Sequence, residues 1–132
     1  MSSLLRYTRK NSVARNSLMA TSAVLAVAMG IAFFLQLKRV CNRRRPCALE
    51  PHCWATLLPP DQFSFPSGHT ITAFSVAVSL SVFYPAAVLG LLFCAASVAV
   101  SRIVLGMHFL SDVIAGAAIG TLLGYGAAAF LF

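Results

Sequence analysis

Three short polar clusters interrupt a chain that is otherwise mostly apolar. They are KRVCNRRRP at residues 38–46, PSGH at residues 66–69 and SRIVLGMHFLSD at residues 101–112. Together they contain cations, a small hydroxyl, a glycine and two histidines, which are residue types that can bind and transfer a phosphate group. They can act as one site only if the fold brings the three clusters together.

The cations and the PSGH segment predict a phosphate-binding site. Lys38, Arg45 and Arg102 offer three positive charges, and arginine presents paired donors to phosphate oxygens. Ser67 is expected to cap the helix that follows it, and Gly68 leaves room for a ligand to approach the backbone. The first N–H groups of a helix have no partner within it and favour anions. A less specific role for these cations is attraction to anionic lipid head groups.

The histidines predict the reactive groups. His108 and Asp112 are four residues apart, so at the start of a helix they would share a face. A carboxylate that keeps one ring nitrogen protonated leaves the other basic, which makes His108 a candidate nucleophile toward phosphorus. His69 has no acid nearby in sequence, and beside the phosphate it could protonate the leaving oxygen.

Composition predicts a single membrane domain. The chain has 132 residues, of which 59% are hydrophobic and 10% are charged, with a net charge of +7. A soluble domain usually has about 25% charged residues. None of the ten lysines and arginines lies within an apolar run. The deficit of charge argues against a soluble protein.

The apolar runs predict an all-α transmembrane bundle of about four helices. Residues 18–37 carry no charge and are long enough to cross a bilayer, and this run is too long for a cleaved signal sequence. The prolines of residues 38–65 indicate a loop outside the membrane. Three further helices are predicted, at residues 70–83, 86–101 and 113–132. Gly116, Gly120 and Gly124 share one face of the last helix, which indicates close packing.

The order of these helices places all three clusters on one side of the membrane. If the N-terminus is on the first side, residues 38–65 lie on the second. The next helix returns to the first side at Tyr84-Pro85, and the one after it carries residues 102–112 back to the second. The topology therefore predicts that the strongly polar chemistry converges at one membrane face.

The clusters resemble the signature of the type 2 phosphatidic acid phosphatase (PAP2) superfamily, which reads K-x6-R-P, P-S-G-H and S-R-x5-H-x3-D. The match is complete, in order and with the family's spacing, over residues 38–112, more than half of the chain. The matching residues are Lys38, Arg45, Pro46, Pro66, Ser67, Gly68, His69, Ser101, Arg102, His108 and Asp112.

The resemblance implies a membrane phosphatase that hydrolyses a lipid phosphate or lipid pyrophosphate without a metal or other cofactor. It implies that His108 attacks phosphorus and forms a phosphohistidine, that Asp112 orients His108, and that His69 protonates the leaving group. It also implies that the phosphate is held by Lys38, Arg45, Ser67, Gly68 and Arg102. The expected partners are the substrate and membrane lipids, with no nucleic acid.

One feature departs from the family pattern. Membrane members usually have six helices, with K-x6-R-P after the third, whereas here it follows the first. The expectation is a truncated version of that core, with residues 1–17 as a basic interfacial segment and residues 18–132 as the catalytic domain. Two N-terminal helices or a second copy of the chain would then complete the bundle.

Two other functions remain open at this point. The chain could be a catalytically incomplete subunit or an anionic-lipid-binding protein of the same fold, although lipid binding alone would need only the cations. The related vanadium-dependent haloperoxidases use a similar pocket, but they are soluble and much larger.

The distribution of basic residues weakly predicts a cytoplasmic N-terminus in the cell membrane and a site on the outer face. In an oxidising compartment Cys47 and Cys53 could form a disulfide. Zinc binding with His52 is the alternative, although the spacing matches no usual zinc motif. Cys94 is expected to pack within its helix.

Overall fold

The computed structural model describes residues 2–46 and 63–131, with side chains described for residues 12–46 and 63–131. This part of the chain forms an all-α bundle, which confirms the predicted fold class. A 3-10 turn separates the second helix from the third. The four helices are α1 (Ser2–Cys41), α2 (Gly68–Phe83), α3 (Val88–Val104) and α4 (Leu110–Leu131).

Among the described residues, three segments are long and apolar enough to cross a membrane, at Ser12–Cys41, Pro85–Val104 and Leu110–Leu131. The apolar helix α2 has 16 residues. A helix of that length is about 24 Å long, somewhat less than the hydrocarbon core of a bilayer. The pattern is that of a multi-pass membrane protein.

The first helix is longer than predicted. It runs for 40 residues, so the predicted span at residues 18–37 is the middle of a longer helix, and Lys38 lies in its last turn rather than in a loop. No proline precedes residue 46, so nothing breaks the helix earlier. It ends before Asn42, whose φ of 41° is a left-handed conformation that asparagine tolerates well.

The predicted division of the chain at residue 17 falls inside α1, which is continuous there. The separation into an interfacial segment and a catalytic domain therefore stays a prediction. The other helices begin or end within three residues of the predicted positions. As a result Arg102 lies in the last turn of α3 and Asp112 in the first turn of α4.

The second helix lies at the centre and contacts each of the other three. It is antiparallel to α1, because the Tyr84 hydroxyl donates to Asn16 Oδ1 at 2.7 Å at one end of the bundle. At the other end the ring of Phe34 lies against Gly68. In the described part of the chain α1 and α3 do not contact each other, so a groove floored by α2 lies between them.

The glycines of α4 allow it to run parallel to α2 at very short range. A Cβ atom at Gly116 would lie 2.9 Å from the Ser67 carbonyl oxygen, and one at Gly124 would overlap the Ser75 carbonyl oxygen. Because α2 and α4 are parallel, both begin at the same end of the bundle, where α1 and α3 finish. The three polar clusters meet there, as the predicted topology requires.

Of the cysteines with a predicted role, only Cys94 lies among the described residues. Cys94 is exposed on the surface of α3, so the predicted packing role is wrong. Its position faces away from the neighbouring helices, where a small apolar thiol suits contact with lipid. The predicted Cys47–Cys53 disulfide and the zinc alternative with His52 lie outside the described residues.

Candidate active site

A cavity of about 540 Å³ opens between α1, α2 and α3 at the end of the bundle where the polar clusters meet. Its polar end is formed by Arg45, His69 and His108, and Gly68 also reaches it. The rest of its wall is mainly apolar and comes from Gly30, Ile31, Phe34, Leu35, Thr72, Ala73, Val98 and Met107. The cavity therefore combines cationic and imidazole groups with a mainly apolar wall.

His108 lies in the turn between α3 and α4 rather than on a helix. Gly106 has a φ of 65°, which a residue with a side chain rarely adopts, and it reverses the chain here. The N–H groups of Met107 and His108 then donate to the carbonyl oxygen of Arg102, at 3.2 and 3.3 Å. The turn is thus built on the last turn of α3, which fixes the imidazole relative to that helix.

The imidazole of His108 is held by a backbone carbonyl. Its Nδ1 donates to the Ser64 carbonyl oxygen at 2.6 Å, whereas the nearer Asp112 oxygen is 3.8 Å from Nδ1. With Nδ1 as donor, the lone pair of the neutral ring lies on Nε2. The residue is buried, 5% exposed. Burial, followed by the positive charge of Arg45, lowers the pKa of His108 to about 4.

Asp112 is fully buried and ties three elements together. Its Oδ2 accepts from the Phe109 N–H at 2.8 Å, and its Oδ1 accepts from Arg43 Nη1 at 3.0 Å. Its own carbonyl oxygen accepts from the Ser67 N–H at 3.1 Å. The predicted hydrogen bond from His108 to this carboxylate is replaced by the one to Ser64, because His108 precedes α4 and its ring reaches the carbonyl first.

The guanidinium of Arg45 lies close to Nε2 of His108, the ring nitrogen that carries the lone pair. Its Nη1 donates to the Met107 carbonyl oxygen at 3.0 Å and is 3.4 Å from His108 Nε2. The residue is only 4% exposed, although it borders the cavity. A guanidinium in this position directs an anion toward Nε2.

The first turn of α2 forms another part of the cavity wall. Gly68 is its first residue, and a Cβ there would lie 3.1 Å from the ring of Phe34, so glycine allows the two helices to approach. His69 is exposed at the cavity. The positive charges of Arg102 and Arg45 both act on His69, and His69 acts electrostatically on His108.

Ser67 occupies the N-cap position of α2, as predicted, but its side chain makes no capping hydrogen bond. Its Oγ instead accepts from the Thr70 hydroxyl at 2.9 Å. Since that bond uses an acceptor site, the proton of Ser67 is still available for donation. Ser67 is fully buried and does not line the cavity.

Two predicted phosphate ligands lie at the edge of the site. Lys38 Nζ is 4.5 Å from the centre of the Phe34 ring, and Lys38 borders a second cavity that Phe34 also lines. Arg102 is half-buried, and its Nε donates to Ser101 Oγ at 3.2 Å. Both cations flank the cavity lined by Arg45, His69 and His108 without entering it.

Sequence reasoning missed three contributors, namely Ser64, Arg43 and Phe34. Ser64 acts through its backbone carbonyl, which every residue type has, so the sequence gives no sign of this role. Arg43 is the first of three consecutive arginines, and spacing alone does not separate its role from that of Arg44. Phe34 is one apolar residue among many in α1, although its place one turn before Lys38 was a usable signal.

The chain matches known proteins over most of its length. The PAP2 superfamily model matches residues 18–132. The chain is 32% identical over 88 residues to the lipid A 1-phosphatase of Rhizobium etli, covering 64% of this chain and 38% of that protein. It is 34% identical over 95 residues to the decaprenylphosphoryl-5-phosphoribose phosphatase of Mycobacterium tuberculosis, covering 70% of this chain and 50% of that protein.

Two solved structures share the fold. Aquifex aeolicus LpxE superposes with a TM-score of 0.71 at 31% identity, covering 83% of this chain and 66% of that one. A transmembrane PAP2-type phosphatidylglycerolphosphate phosphatase from Bacillus subtilis superposes with a TM-score of 0.66 at 28% identity. This match covers 82% of this chain and 56% of that one.

The alignments span 38% and 50% of the two phosphatases compared above, so the chain corresponds to part of the length of those relatives. Within that part it carries the complete signature, and the fold brings Arg45, Gly68, His69 and His108 of that signature to one cavity. With the family model matched over residues 18–132, the chain belongs to the PAP2 superfamily.

Proposed function

We propose that the protein is a membrane-embedded phosphatase that hydrolyses a lipid phosphate or lipid pyrophosphate through a phosphohistidine on His108. The observation that carries the proposal is the meeting of Arg45, His69 and His108 at the polar end of one apolar cavity. Membership of the PAP2 superfamily, with phosphatases among the relatives, supports the same chemistry.

His108 is the proposed nucleophile. The bond from Nδ1 to the Ser64 carbonyl leaves the lone pair on Nε2, and the lowered pKa keeps the ring neutral at pH 7. A neutral imidazole can attack phosphorus without first losing a proton. Attack forms the bond from Nε2 to phosphorus as the bond from phosphorus to the leaving oxygen breaks.

Arg45 is the proposed principal ligand of the phosphate. Its Nη1 lies 3.4 Å from Nε2, so a phosphate bound to this guanidinium would stand next to the nucleophile. Fixed cations stabilise the charge that develops on the equatorial oxygens in the transition state. Lys38, Ser67, Gly68 and Arg102 are proposed as further ligands that close on the phosphate when substrate fills the cavity.

His69 is the proposed general acid. It borders the same cavity as His108, and a proton on its ring would pass to the leaving oxygen as that bond breaks. The neutral ring that results can then accept a proton from the water that hydrolyses the phosphohistidine. The cycle returns both imidazoles to their starting states and requires no metal ion.

The apolar wall of the cavity supports a lipid as substrate. Phe34, Val98 and Met107 line the same cavity as the histidines, and an acyl or prenyl chain would replace water against them. The relatives compared above act on lipid A, on decaprenylphosphoryl-5-phosphoribose and on phosphatidylglycerolphosphate, according to their names. These substrates share a phosphate joined to a lipid, which is the class proposed here.

We further propose that the site faces the outside of the cell membrane. Four basic residues precede the uncharged run at residues 18–37, namely Arg6, Arg9, Lys10 and Arg15. On the other side Lys38, Arg45 and Arg102 are assigned to the phosphate, and Arg43 is paired with Asp112. Removing these from the count leaves Arg39 and Arg44, which favours a cytoplasmic N-terminus.

The experiment is a phosphate-release assay on purified protein in lipid vesicles, using phosphatidic acid, phosphatidylglycerol phosphate, undecaprenyl pyrophosphate and lipid A in turn. We expect release from at least one of these in the presence of EDTA, and none after His108→Ala. Binding of these lipids without turnover would instead favour a non-catalytic lipid-binding protein.

A further inference from the structure

The side chain of Arg43 forms a bridge to the start of α4. Its Nη1 donates to Asp112 Oδ1 at 3.0 Å and to Ser111 Oγ at 2.7 Å. Its guanidinium carbon lies 4.2 Å from the centre of the Phe109 ring. These three contacts hold the Arg43 side chain against residues 109–112, where the turn that carries His108 leads into α4.

The backbone of Arg43 reaches the other side of the imidazole. Its carbonyl oxygen accepts from the Ser64 N–H at 2.7 Å, and the Ser64 carbonyl oxygen accepts from His108 Nδ1 at 2.6 Å. Neighbouring pairing between Arg44 and Phe63 keeps these two segments side by side. Arg43 is thus joined to both groups that border His108 Nδ1, the Ser64 carbonyl and the Asp112 carboxylate.

We propose that Arg43 is a positioning residue whose side chain fixes the orientation and protonation state of His108 by holding Asp112 in place, while its backbone carbonyl holds the Ser64 segment. The residue does not border the cavity, so it acts through these two groups rather than on substrate. The catalytic consequences rest on the function proposed above, whereas the effect on the imidazole does not.

A simpler view is that Arg43 and Asp112 form an ordinary surface ion pair. The Arg43 side chain is 42% exposed, and exposed pairs contribute little to stability. However, the Asp112 side chain is 0% exposed, and a buried carboxylate that loses its cation is strongly destabilised. The second carboxylate oxygen accepts from the Phe109 N–H, so within the described part of the chain Arg43 is the guanidinium that balances this buried charge.

Removing Arg43 should change the charge felt by His108. The groups that face this imidazole are Arg45 and His69, which disfavour its protonation, and Asp112 and the Ser64 carbonyl, which favour it. Without Arg43 the negative charge of Asp112 is no longer balanced by a guanidinium, so it acts more strongly on His108. The pKa of His108 should therefore rise, and less neutral nucleophile remains at mildly acidic pH.

The test compares Arg43→Met with the control Arg44→Met. The control removes the same charge from the next residue, whose side chain is exposed. Phosphate release from dioctanoyl phosphatidic acid in detergent micelles is followed from pH 4 to 8. We expect Arg43→Met to lower kcat by about tenfold to a hundredfold with little change in KM. The acid limb of its profile should move to higher pH, Arg43→Lys should recover part of the loss, and Arg44→Met should match the parent protein.

A second measurement does not depend on turnover. The ring nitrogens of His108 are followed by ¹⁵N NMR across the same pH range, with the signals assigned from their absence in His108→Gln. We expect a neutral ring protonated at Nδ1 in the parent protein, and an upward shift of the titration in Arg43→Met. Unchanged ring signals in Arg43→Met would overturn the inference. If the parent protein releases no phosphate from any lipid, the proposed function fails while this measurement still decides the role of Arg43.

Discussion

Nδ1 of His108 lies 2.6 Å from the carbonyl oxygen of Ser64, 44 residues earlier in the chain. This one hydrogen bond joins the segment before α2 to the turn before α4. It also fixes the tautomer, since a carbonyl can only accept and Nδ1 must therefore donate. The chemistry proposed for Nε2 depends on this relationship more directly than on the carboxylate of Asp112, which is 3.8 Å away.

Acidification should destabilise the protein through His108. Its pKa in the folded state is about 4, whereas that of an unfolded histidine is near 6.5. Between these values the unfolded chain binds more protons at this residue, so stability falls as the pH falls from about 6.5 toward 4. Below that range both states are protonated and the dependence on this group ends. The thermal unfolding midpoint in detergent, followed by circular dichroism, measures the effect.

His108→Gln provides the control, because glutamine cannot titrate but can still donate to the Ser64 carbonyl. The midpoint of the parent protein should fall more steeply than that of His108→Gln between pH 6.5 and 4. Parallel curves for the two proteins would show that His108 is not held neutral by the fold.

Phe34→Leu should weaken substrate binding. The ring of Phe34 lies 4.5 Å from Lys38 Nζ and against Gly68, so it restrains a proposed phosphate ligand. A cation–π contact contributes about 0.5–1 kcal/mol at an exposed site, which corresponds to a rise in KM of about two- to fivefold. Dioctanoyl phosphatidic acid in micelles is a suitable substrate for the measurement.

Phe33→Leu is the matched control for that variant, since Phe33 is the adjacent residue and its side chain is 53% exposed on the outer surface of α1. It should leave KM unchanged. An equal KM in both variants would argue that the Phe34 ring does not restrain Lys38.

The sequence predicts the participants of the site better than their contacts. The spacing of Lys38, Arg45, His69, His108 and Asp112 identified residues that the bundle gathers at one end. The alternation of apolar runs with polar segments predicted the direction in which each helix crosses the membrane. Each apolar run must cross the bilayer before the next one can return. The exact partners of these side chains depend on interatomic distances that spacing does not determine.

His108 and Asp112 illustrate the limit. Their separation of four residues suggested a shared helical face, but α4 begins at Leu110 and leaves His108 in the preceding turn. The left-handed Gly106 that shapes this turn was visible as a glycine, yet its effect on the imidazole was not. Likewise, Arg43 and Arg44 are identical in type, and only the fold directs one toward Asp112.

Gly124→Ala should destabilise the bundle strongly. An added Cβ would overlap the Ser75 carbonyl oxygen on α2, and helix backbone cannot move aside as a flexible side chain can. We expect a fall of several degrees in the unfolding midpoint. Gly126→Ala is the control, because a Cβ there meets nothing within 4 Å and alanine favours the helix. A midpoint in Gly124→Ala equal to that of Gly126→Ala would contradict the close approach of α2 and α4.

The hydroxyls of Ser22 and Ser79 lie 2.7 Å apart inside the bundle and predict an asymmetric effect of substitution. Ser22 donates to the Met19 carbonyl oxygen at 2.8 Å, so the proton between the two serines must come from Ser79. Ser79→Ala leaves Ser22 with its carbonyl partner. Ser22→Ala removes the acceptor of a buried donor, which costs about 1 kcal/mol or more.

Ser22→Ala should therefore lower stability more than Ser79→Ala. Adding Ser22→Ala to Ser79→Ala should cost little more, because the Ser79 hydroxyl that would lack an acceptor is then absent. Unfolding of the four proteins by sodium dodecyl sulfate in mixed micelles gives the coupling between the two sites, expected to be about 0.6 kcal/mol or somewhat larger. Ser97→Ala is the reference for a local bond, since the exposed Ser97 hydroxyl donates only within its own helix, to Phe93. Equal and additive losses at both serines would mean that α1 and α2 are not joined by this hydrogen bond.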